Sequence, residues 1–141
     1  MVRMSFRAIA VTLVAAASLA QLSSAQPQAG QGTKHKLTAD DLRSLMSVPF
    51  TSYSVGNYGP KTNAAYFTPD GNIKFKSPNQ NDTGKYRVTD DGKLCTQYKV
   101  LRNGTENCQD QYQTGPDQYE SHLPNGTIIT SRWVPGNPEN F

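Results

Sequence analysis

The chain contains few of the residues from which catalytic and metal sites are usually built. Among its 141 residues are two histidines and two cysteines. Neither His35 nor His122 has another His or Cys at the spacing of a zinc site. No serine stands in a G-x-S-x-G turn, and no C-x-x-C pair occurs. These absences predict a protein without a metal, without a cofactor and without a catalytic group of a known type.

The chain also has little net positive charge. The formal net charge is +3. Without Arg3 and Arg7, which lie in a segment expected to be removed, 12 basic residues face 11 acidic ones and the charge is +1. No run of Lys and Arg is present to follow a phosphate backbone. The sequence therefore argues against nucleic acid as a partner.

The first 25 residues have the pattern of a signal peptide. Arg3 and Arg7 supply the positive start, residues 8–20 form an apolar run, and residues 23–25 (SSA) are small enough for signal peptidase. The run of 13 residues is too short to span a bilayer, and no second stretch of membrane length follows. We expect cleavage before Gln26, a periplasmic or secreted product, and no integral membrane segment after cleavage.

Composition divides the rest of the chain into two parts. Residues 26–36 (QPQAGQGTKHK) contain no large apolar side chain, which predicts a flexible leader that is ordered only where it docks. Residues 37–141 are long enough to bury one hydrophobic core but not two. We predict a signal peptide over residues 1–25, a leader over 26–36 and a single β-rich domain over 37–141.

One helix is marked by its capping residues. Thr38 suits the N-cap, and Asp41, three residues later, completes a variant of the capping box. Residues 42–46 place two leucines and a methionine on one apolar face, and Pro49 ends the pattern. The sequence predicts a short N-terminal helix that packs on a sheet or plugs it.

After Pro49 the apolar residues alternate with polar ones, and turn-forming residues recur about every 8 to 15 positions. Connections this short leave no room for the crossover helices of a parallel sheet. We predict a mainly β protein, in which a meander of about eight antiparallel strands forms a small closed or partly open calycin-like barrel. The predicted strands are Phe50–Val55, Asn63–Phe67, Asn72–Lys76, Lys85–Thr89, Lys93–Val100, Thr105–Tyr112, Gln118–Leu123 and Thr127–Val134.

Aromatic side chains are the main large residues available to fill such a barrel. Most of them are expected in the core. A small barrel can nevertheless keep a cavity for one ligand, and tyrosine hydroxyls would supply its polar contacts. The residues that we expect around a ligand cavity are Tyr66, Tyr86, Tyr98, Tyr112 and Trp133.

Cys95 and Cys108 form an even pair in a chain predicted to be exported, which favours a disulfide. The hairpin between them opposes the bond. If Asn103-Gly104 is a two-residue turn, the cysteines are four residues out of register. If the strand pairing is shifted by one residue with a bulge, the cysteines lie on opposite faces of the hairpin. We predict the bond, and with it a strand ladder that breaks near residues 99–102.

Three N-x-[ST] sequons begin at Asn81, Asn103 and Asn125. In a eukaryotic protein all three would be glycosylation sites on the surface. The signal segment and the leader look bacterial, however, and in a bacterial protein the sequons are incidental. Two of them are also Asn-Gly turns, which explains their residues without a sugar.

A longer pattern covers residues 64–138. It consists of AAYFTPDGNIKFKS, a G-x-[WY]-x-V element, DG-x-LC, a second Cys after a charged turn and a closing GNPE. With these motifs and the LTADDL helix opening, the chain resembles a family of small exported alphaproteobacterial proteins known as a domain of unknown function. Tyr86 stands where that family more often has Trp. The resemblance implies a periplasmic β-rich domain without an assigned activity.

Together these patterns favour an exported, periplasmic, non-catalytic binding or interaction domain, whose partner is an unknown envelope protein or small ligand. The first alternative is a secreted, host-facing effector or hydrolase inhibitor that uses the turns at residues 102–105 and 124–126. The second is an enzyme of an unrecognised type that depends on Tyr98 or Asp110.

Overall fold

The computed structural model describes residues 33–55 and 62–141. They contain one α-helix, α1 (Ala39–Leu45), and nine strands. The predicted signal peptide, residues 1–25, lies outside the described residues, as does most of the predicted leader. The strands are β1 (His35–Lys36), β2 (Phe50–Val55), β3 (Thr62–Phe67), β4 (Asn72–Lys76), β5 (Asn81–Val88), β6 (Lys93–Tyr98), β7 (Asn107–Gln113), β8 (Gln118–His122) and β9 (Ile128–Pro135).

Eight of these strands, β2 to β9, pair in chain order and close into a barrel. All of the pairings between described strands are antiparallel. The closing seam joins β2 to β9, with Phe50 opposite Pro135 and Ser54 opposite Ser131. The predicted meander and its closure are confirmed. Closure gives β2 and β9 each a second partner, so neither is left as a free edge.

Helix α1 closes one end of the barrel. Its N-cap and capping box form as predicted, with reciprocal hydrogen bonds between Thr38 and Asp41. Leu42 is fully buried and packs with inward aromatic side chains of the strands. Among these, the Phe50 ring stacks on Trp133 with centroids 4.6 Å apart. Burial of this apolar surface holds the helix against the barrel, so the predicted packing of the helix on the sheet is confirmed.

The last residues of the predicted leader contact the barrel. His35 and Lys36 form β1, which pairs with the last residues of β7. Beside this strand, the Nζ atom of Lys34 lies 2.6 Å from a carboxylate oxygen of Glu120. Residues 34–36, the end of the predicted leader, are thus docked on the barrel.

The hairpin between β6 and β7 differs from both predicted registers. Cys95 lies directly opposite Cys108, and the two are joined in a disulfide. The Asn103-Gly104 pair is not a two-residue turn, because residues 99–106 together connect the strands. The predicted disulfide and the predicted break of the ladder are confirmed, since β6 ends at Tyr98.

A buried carboxylate causes this break. One oxygen of Asp82, on β5, accepts hydrogen bonds from the amides of Val100 and Leu101 at 2.9 and 2.7 Å. The chain then turns through a 3₁₀ segment in which Arg102 and Asn103 have φ angles of 58° and 53°. This left-handed backbone is uncommon for residues other than glycine. The connection over residues 99–106 is thereby six residues longer than a two-residue turn.

Candidate functional site

The half of the barrel away from α1 contains a cavity of about 200 Å³. Successive side chains of a strand point to opposite faces, so every second residue of each strand faces this interior. The cavity wall contains both aromatic and small polar side chains. Its aromatic and aliphatic residues include Phe67, Phe75, Leu94, Tyr98, Ile129 and Trp133, and its polar residues include Ser52, Ser54, Asn63, Thr96, Gln109 and Ser131.

Several of the polar wall residues have unused hydrogen-bonding capacity. The side chains of Ser52, Ser54, Asn63 and Gln109 make no hydrogen bond to any other side chain or backbone group in the described ranges 33–55 and 62–141. All four residues are half-buried rather than buried, so water can reach their polar atoms. These four side chains therefore suit water or a polar ligand inside the barrel.

Gln111 adds another polar side chain to the inward face of β7, on the side nearer to α1. It lies two residues beyond Gln109 on β7 and is fully buried. Its Oε1 atom accepts a hydrogen bond of 2.9 Å from the hydroxyl of Ser121, whereas its Nε2 atom has no partner among the described residues. The interior of the barrel is thus unusually polar for a core of this size.

One charged residue of the described chain, Arg102, lines the cavity. Its Nη2 atom donates to the hydroxyl and to the carbonyl of Thr96, at 2.8 and 3.1 Å. Its Cζ atom lies 5.4 Å from the centroid of the Tyr98 ring, in a cation–π arrangement. Partial burial lowers the pKa of Arg102, although an arginine stays charged in proteins. The left-handed turn therefore brings the guanidinium of this exposed residue back to Thr96 and Tyr98 in the cavity wall.

Tyr98 and Trp133 lie in the cavity wall, and their contact with a ligand stays a prediction. The Tyr98 ring meets Phe75 edge to face, with centroids 5.7 Å apart. Burial raises the pKa of Tyr98, so its hydroxyl remains protonated at neutral pH. The indole nitrogen of Trp133 donates to the Ser131 hydroxyl at 3.1 Å. Both aromatic side chains are thereby held in fixed positions.

The other three tyrosines predicted around the cavity do not line it. Tyr86 points inward, but it belongs to the packed core and its hydroxyl donates to the Thr68 carbonyl at 2.7 Å. Tyr66 and Tyr112 lie on the outer face, because β3 and β7 turn the neighbouring residues inward. The Tyr66 ring stacks on Phe141 at 5.8 Å between centroids. These three residues thus lie apart from this cavity, and their contact with a ligand stays a prediction.

Sequence reasoning missed the polar wall and Arg102. Ser52 and Ser54 lie on the same strand face as Phe50, so the alternation of β2 carried a signal for their inward position. No such signal existed for Arg102. Its direction depends on the left-handed turn and on the distant carboxylate of Asp82.

The disulfide lies on the outer face of the barrel. Cys95 is fully buried there, and a carboxylate oxygen of Glu106 lies 3.7 Å from the sulfur of Cys108. Glu106 is itself paired with Arg87 at 2.8 Å. Because both sulfurs are bonded to each other, they are not available as thiolates for a metal ion. We read this group of side chains as a structural brace between β6 and β7.

The sequon asparagines Asn81, Asn103 and Asn125 are all exposed. Asn125 Oδ1 accepts a hydrogen bond of 3.0 Å from the Thr127 amide and so stabilises its own turn. This contact explains the residue without a glycan. Glycosylation in a eukaryotic source stays a prediction.

Comparisons with known proteins add no assignment. No family model, no curated protein and no solved structure matches the chain. The resemblance to an alphaproteobacterial domain of unknown function therefore stays a prediction. Among the described residues, no helix has both the length and the apolar character that a membrane crossing requires.

Proposed function

We propose that the protein is an exported, non-catalytic binding protein that holds one small ligand inside its barrel. The observation that carries this proposal is the cavity of about 200 Å³, whose wall includes Ser52, Asn63, Gln109 and several other polar side chains. A barrel selected only for stability would fill this volume with apolar side chains. On the same strand face as Gln109, the buried Nε2 atom of Gln111 has no partner among the described residues, which is costly unless water or a ligand reaches it.

The positions of Tyr98 and Asp110 favour binding over catalysis. Tyr98 faces the interior, whereas Asp110 lies on the outer face between Lys36 and Lys93, at 3.0 and 3.1 Å. Hydrogen bonding to Lys36 lowers the pKa of Asp110 and keeps it as a carboxylate in an ion pair. The two residues on which an enzyme would depend are therefore separated by the barrel wall.

The turn around Arg102 also favours a ligand inside the barrel over an inhibitor that inserts a loop into an enzyme. An inhibitory loop presents its side chains outward to a partner. Arg102 instead turns its guanidinium back to Thr96 and Tyr98. The tip of the hairpin thus contributes to the cavity.

Export is supported by two independent features. Residues 1–25 have the charge and apolar pattern of a signal peptide. Cys95 and Cys108 are joined in a disulfide, which is typical of oxidising compartments. Expression in the native host tests this part of the proposal. We expect a product in the periplasm or the medium that begins at Gln26, and intact full-length protein in the cytoplasm would contradict it.

Binding is tested by filling the cavity. Ser52→Leu adds an apolar side chain to the wall beside Trp133, and Thr130→Leu adds one to the outer face of β9 as the matched control. We would screen a library of small neutral and charged compounds against both variants by ligand-observed NMR. The proposal expects compounds that bind the wild type and the Thr130→Leu variant but not the Ser52→Leu variant. A library without such compounds would overturn it.

A further inference from the structure

We propose that a groove on the outer face of the barrel binds an acidic polysaccharide. The groove crosses β3 to β6 and has a volume of about 740 Å³. This size lies within the range of about 300–1,000 Å³ that is usual for ligand sites. Lys74, Lys85 and Lys99 line it, and we call them the groove lysines. Because the groove lies outside the barrel, the inference does not depend on a ligand in the interior cavity.

The register of the strands brings the groove lysines together. Lys74 on β4 lies opposite Thr83 on β5, and the amide of Lys99 donates to the Thr83 carbonyl at 2.9 Å. Lys85 lies two positions after Thr83, and all three lysines are exposed. Neighbouring strands are about 4.8 Å apart, so Lys74 and Lys99 flank β5 at a separation of about 10 Å. The array joins residues that are far apart in the sequence.

None of the groove lysines has an acidic partner. All 11 Asp and Glu residues of the chain lie within the described ranges. No ion pair of the described residues involves a groove lysine. The lysines elsewhere that do pair with a carboxylate are Lys34, Lys36 and Lys93. The protein itself therefore leaves the positive charge of the groove uncompensated.

This charge is a local asymmetry and not a property of a basic domain. Removing Arg3, Arg7 and Lys61, which lie outside the described ranges, from the 14 basic residues leaves 11 against 11 acidic ones. The described part of the chain is thus formally neutral. The groove lining, in contrast, has three lysines and one acid, Asp70, which accepts a hydrogen bond from Asn72 in its own turn. Positive charge concentrated in this way attracts an anion.

The exposure of the groove lysines favours a polymer over a small ion. A single ion pair in contact with water contributes little, because both charges are well solvated when apart. Lysine also presents a point charge and not the two-pronged fork of an arginine. A lone carboxylate would therefore not be retained. A chain that carries an acidic group on successive units can contact several lysines at once, and its contacts add up.

The neutral part of the lining suits sugar units. The ring of Tyr66 lines the groove and stacks on Phe141, with centroids 5.8 Å apart and planes within 7° of parallel. An aromatic ring held in this way can pack against the apolar face of a sugar ring. Thr83 and Gln97, which also line the groove, offer hydroxyl and amide groups to sugar hydroxyls.

Single-stranded nucleic acid also combines negative charge with groups that stack on aromatic side chains. We choose the polysaccharide because acidic polysaccharides are the usual polyanions of cell surfaces. This choice rests on the proposed export of the protein.

The test measures binding of an end-labelled hexamer of galacturonic acid to the purified protein by fluorescence anisotropy. The fully methyl-esterified hexamer keeps the sugars without the charge, and hexaglutamate keeps the charge without the sugars. We expect the acidic hexamer to bind about tenfold or more tightly than either compound, and its affinity to fall as salt is added. Equal binding of the ester would overturn the role of charge, and equal binding of hexaglutamate would overturn the role of the sugar.

Variants of the lysines locate the site. Lys74→Gln, Lys85→Gln and Lys99→Gln should each lower the affinity for the acidic hexamer about threefold, and the triple variant about tenfold or more. Lys76→Gln is the matched control. Lys76 is exposed on the same strand as Lys74 and is absent from the described ion pairs, but it does not line the groove. It should bind like the wild type, and a loss as large as that of Lys74→Gln would overturn the groove as the site.

Variants of Tyr66 test the contribution of the ring. Tyr66→Leu should weaken binding of the acidic hexamer about threefold or more and leave the weaker binding of hexaglutamate unchanged. Tyr66→Phe, which keeps the ring, should bind like the wild type. Equal losses for the hexamer and hexaglutamate would contradict packing of a sugar on Tyr66. Unchanged melting temperatures of the lysine and Tyr66 variants exclude misfolding as the cause of weaker binding.

The outcomes separate this site from the proposed function. Ser52→Leu changes the interior of the barrel and should bind the acidic hexamer like the wild type. Absence of hexamer binding would overturn the groove proposal, while the compound screen still decides whether the interior binds a ligand. Tighter binding of single-stranded oligothymidylate or of phosphatidylglycerol vesicles than of the hexamer would overturn the polysaccharide as the partner.

Discussion

Cys95 and Cys108 lie directly opposite each other on β6 and β7, with their Cα atoms 3.9 Å apart. The bond closes a loop whose ends are 13 positions apart in sequence. A loop of this length is expected to stabilise the fold by about 3 kcal/mol, chiefly by restricting the unfolded chain. The disulfide therefore makes a substantial contribution to the stability of a domain this small.

Reduction should accordingly destabilise the wild-type protein. We expect its free energy of unfolding in urea to fall by about 3 kcal/mol in reductant. The double variant Cys95→Ala/Cys108→Ala is the matched control and should be unaffected by reductant. A wild type whose urea midpoint does not move, with reduction verified by mass, would contradict this prediction.

Gly84→Ala should disturb the pairing of β5 with β6. A Cβ atom at this position would overlap the backbone carbonyl of Gln97, which cannot move without breaking the strand. We expect a loss of about 1–3 kcal/mol in urea unfolding, as for other overpacked sites. Gly115→Ala is the control, because its nearest neighbour is the flexible side chain of Gln118. Equal effects of the two substitutions would argue against close strand approach as the cause.

Removal of the N-cap should weaken the docking of α1. Thr38→Ala deletes the oxygen that accepts the hydrogen bond from the Asp41 amide at 3.2 Å. The expected loss in the free energy of unfolding is about 1 kcal/mol, whereas Thr38→Ser should stay close to the wild type. Circular dichroism during thermal unfolding measures both. A serine variant as unstable as the alanine variant would show that the methyl group, and not the cap, is responsible.

Acid should loosen the turn that carries Arg102. Burial tends to raise the pKa of Asp82, but hydrogen bonds from the amides of Leu101, Val100 and Thr83 outweigh it and lower the pKa below its ordinary value of 3.8. A lowered pKa in the folded state means that the carboxylate stabilises the fold fully above pH 3.8. This stabilisation is lost as the pH falls through the lower folded value.

The comparison of wild type with Asp82→Asn tests this pH dependence. We expect the variant to melt at a lower temperature at pH 6 and the difference to shrink steadily as the pH falls below about 3.8. Asp90→Asn, which removes a fully exposed carboxylate, is the control for the change in net charge. A difference between wild type and Asp82→Asn that is as large at the lowest pH as at pH 6 would contradict the role of the carboxylate.

Local features of the fold could be predicted because they depend on neighbouring residues. The capping box needs only Thr38 and Asp41, which are three positions apart. The strands Phe50–Val55 and Asn72–Lys76 have the predicted bounds, since turn residues flank them on both sides. Short connections likewise made the antiparallel meander predictable.

The composition of the cavity could not be predicted in the same way. Tyr66 and Phe67 are adjacent, and only one of two neighbouring strand residues can face inward. Packing of Phe67 on Phe50 decides which one does, with centroids 4.8 Å apart, and Tyr66 is left outside. On β7 the buried position belongs to Gln111, whose partner Ser121 lies on another strand. The sequence of a single strand does not show which of its two faces points into the barrel.

The sequence by itself determined the capped helix, the approximate positions of β2 to β9 and their antiparallel order, because each follows from periodicity, turn residues and short connections. It did not predict β1 or the start of β5 at Asn81. Only the tertiary structure decided the register of Cys95 with Cys108 and the direction of Arg102. Both depend on Asp82, which lies 18 positions before Val100 and captures its amide. The hydrogen bond between Asp82 and Val100 forms only after the barrel has brought β5 and β6 together. No local sequence pattern can therefore predict it.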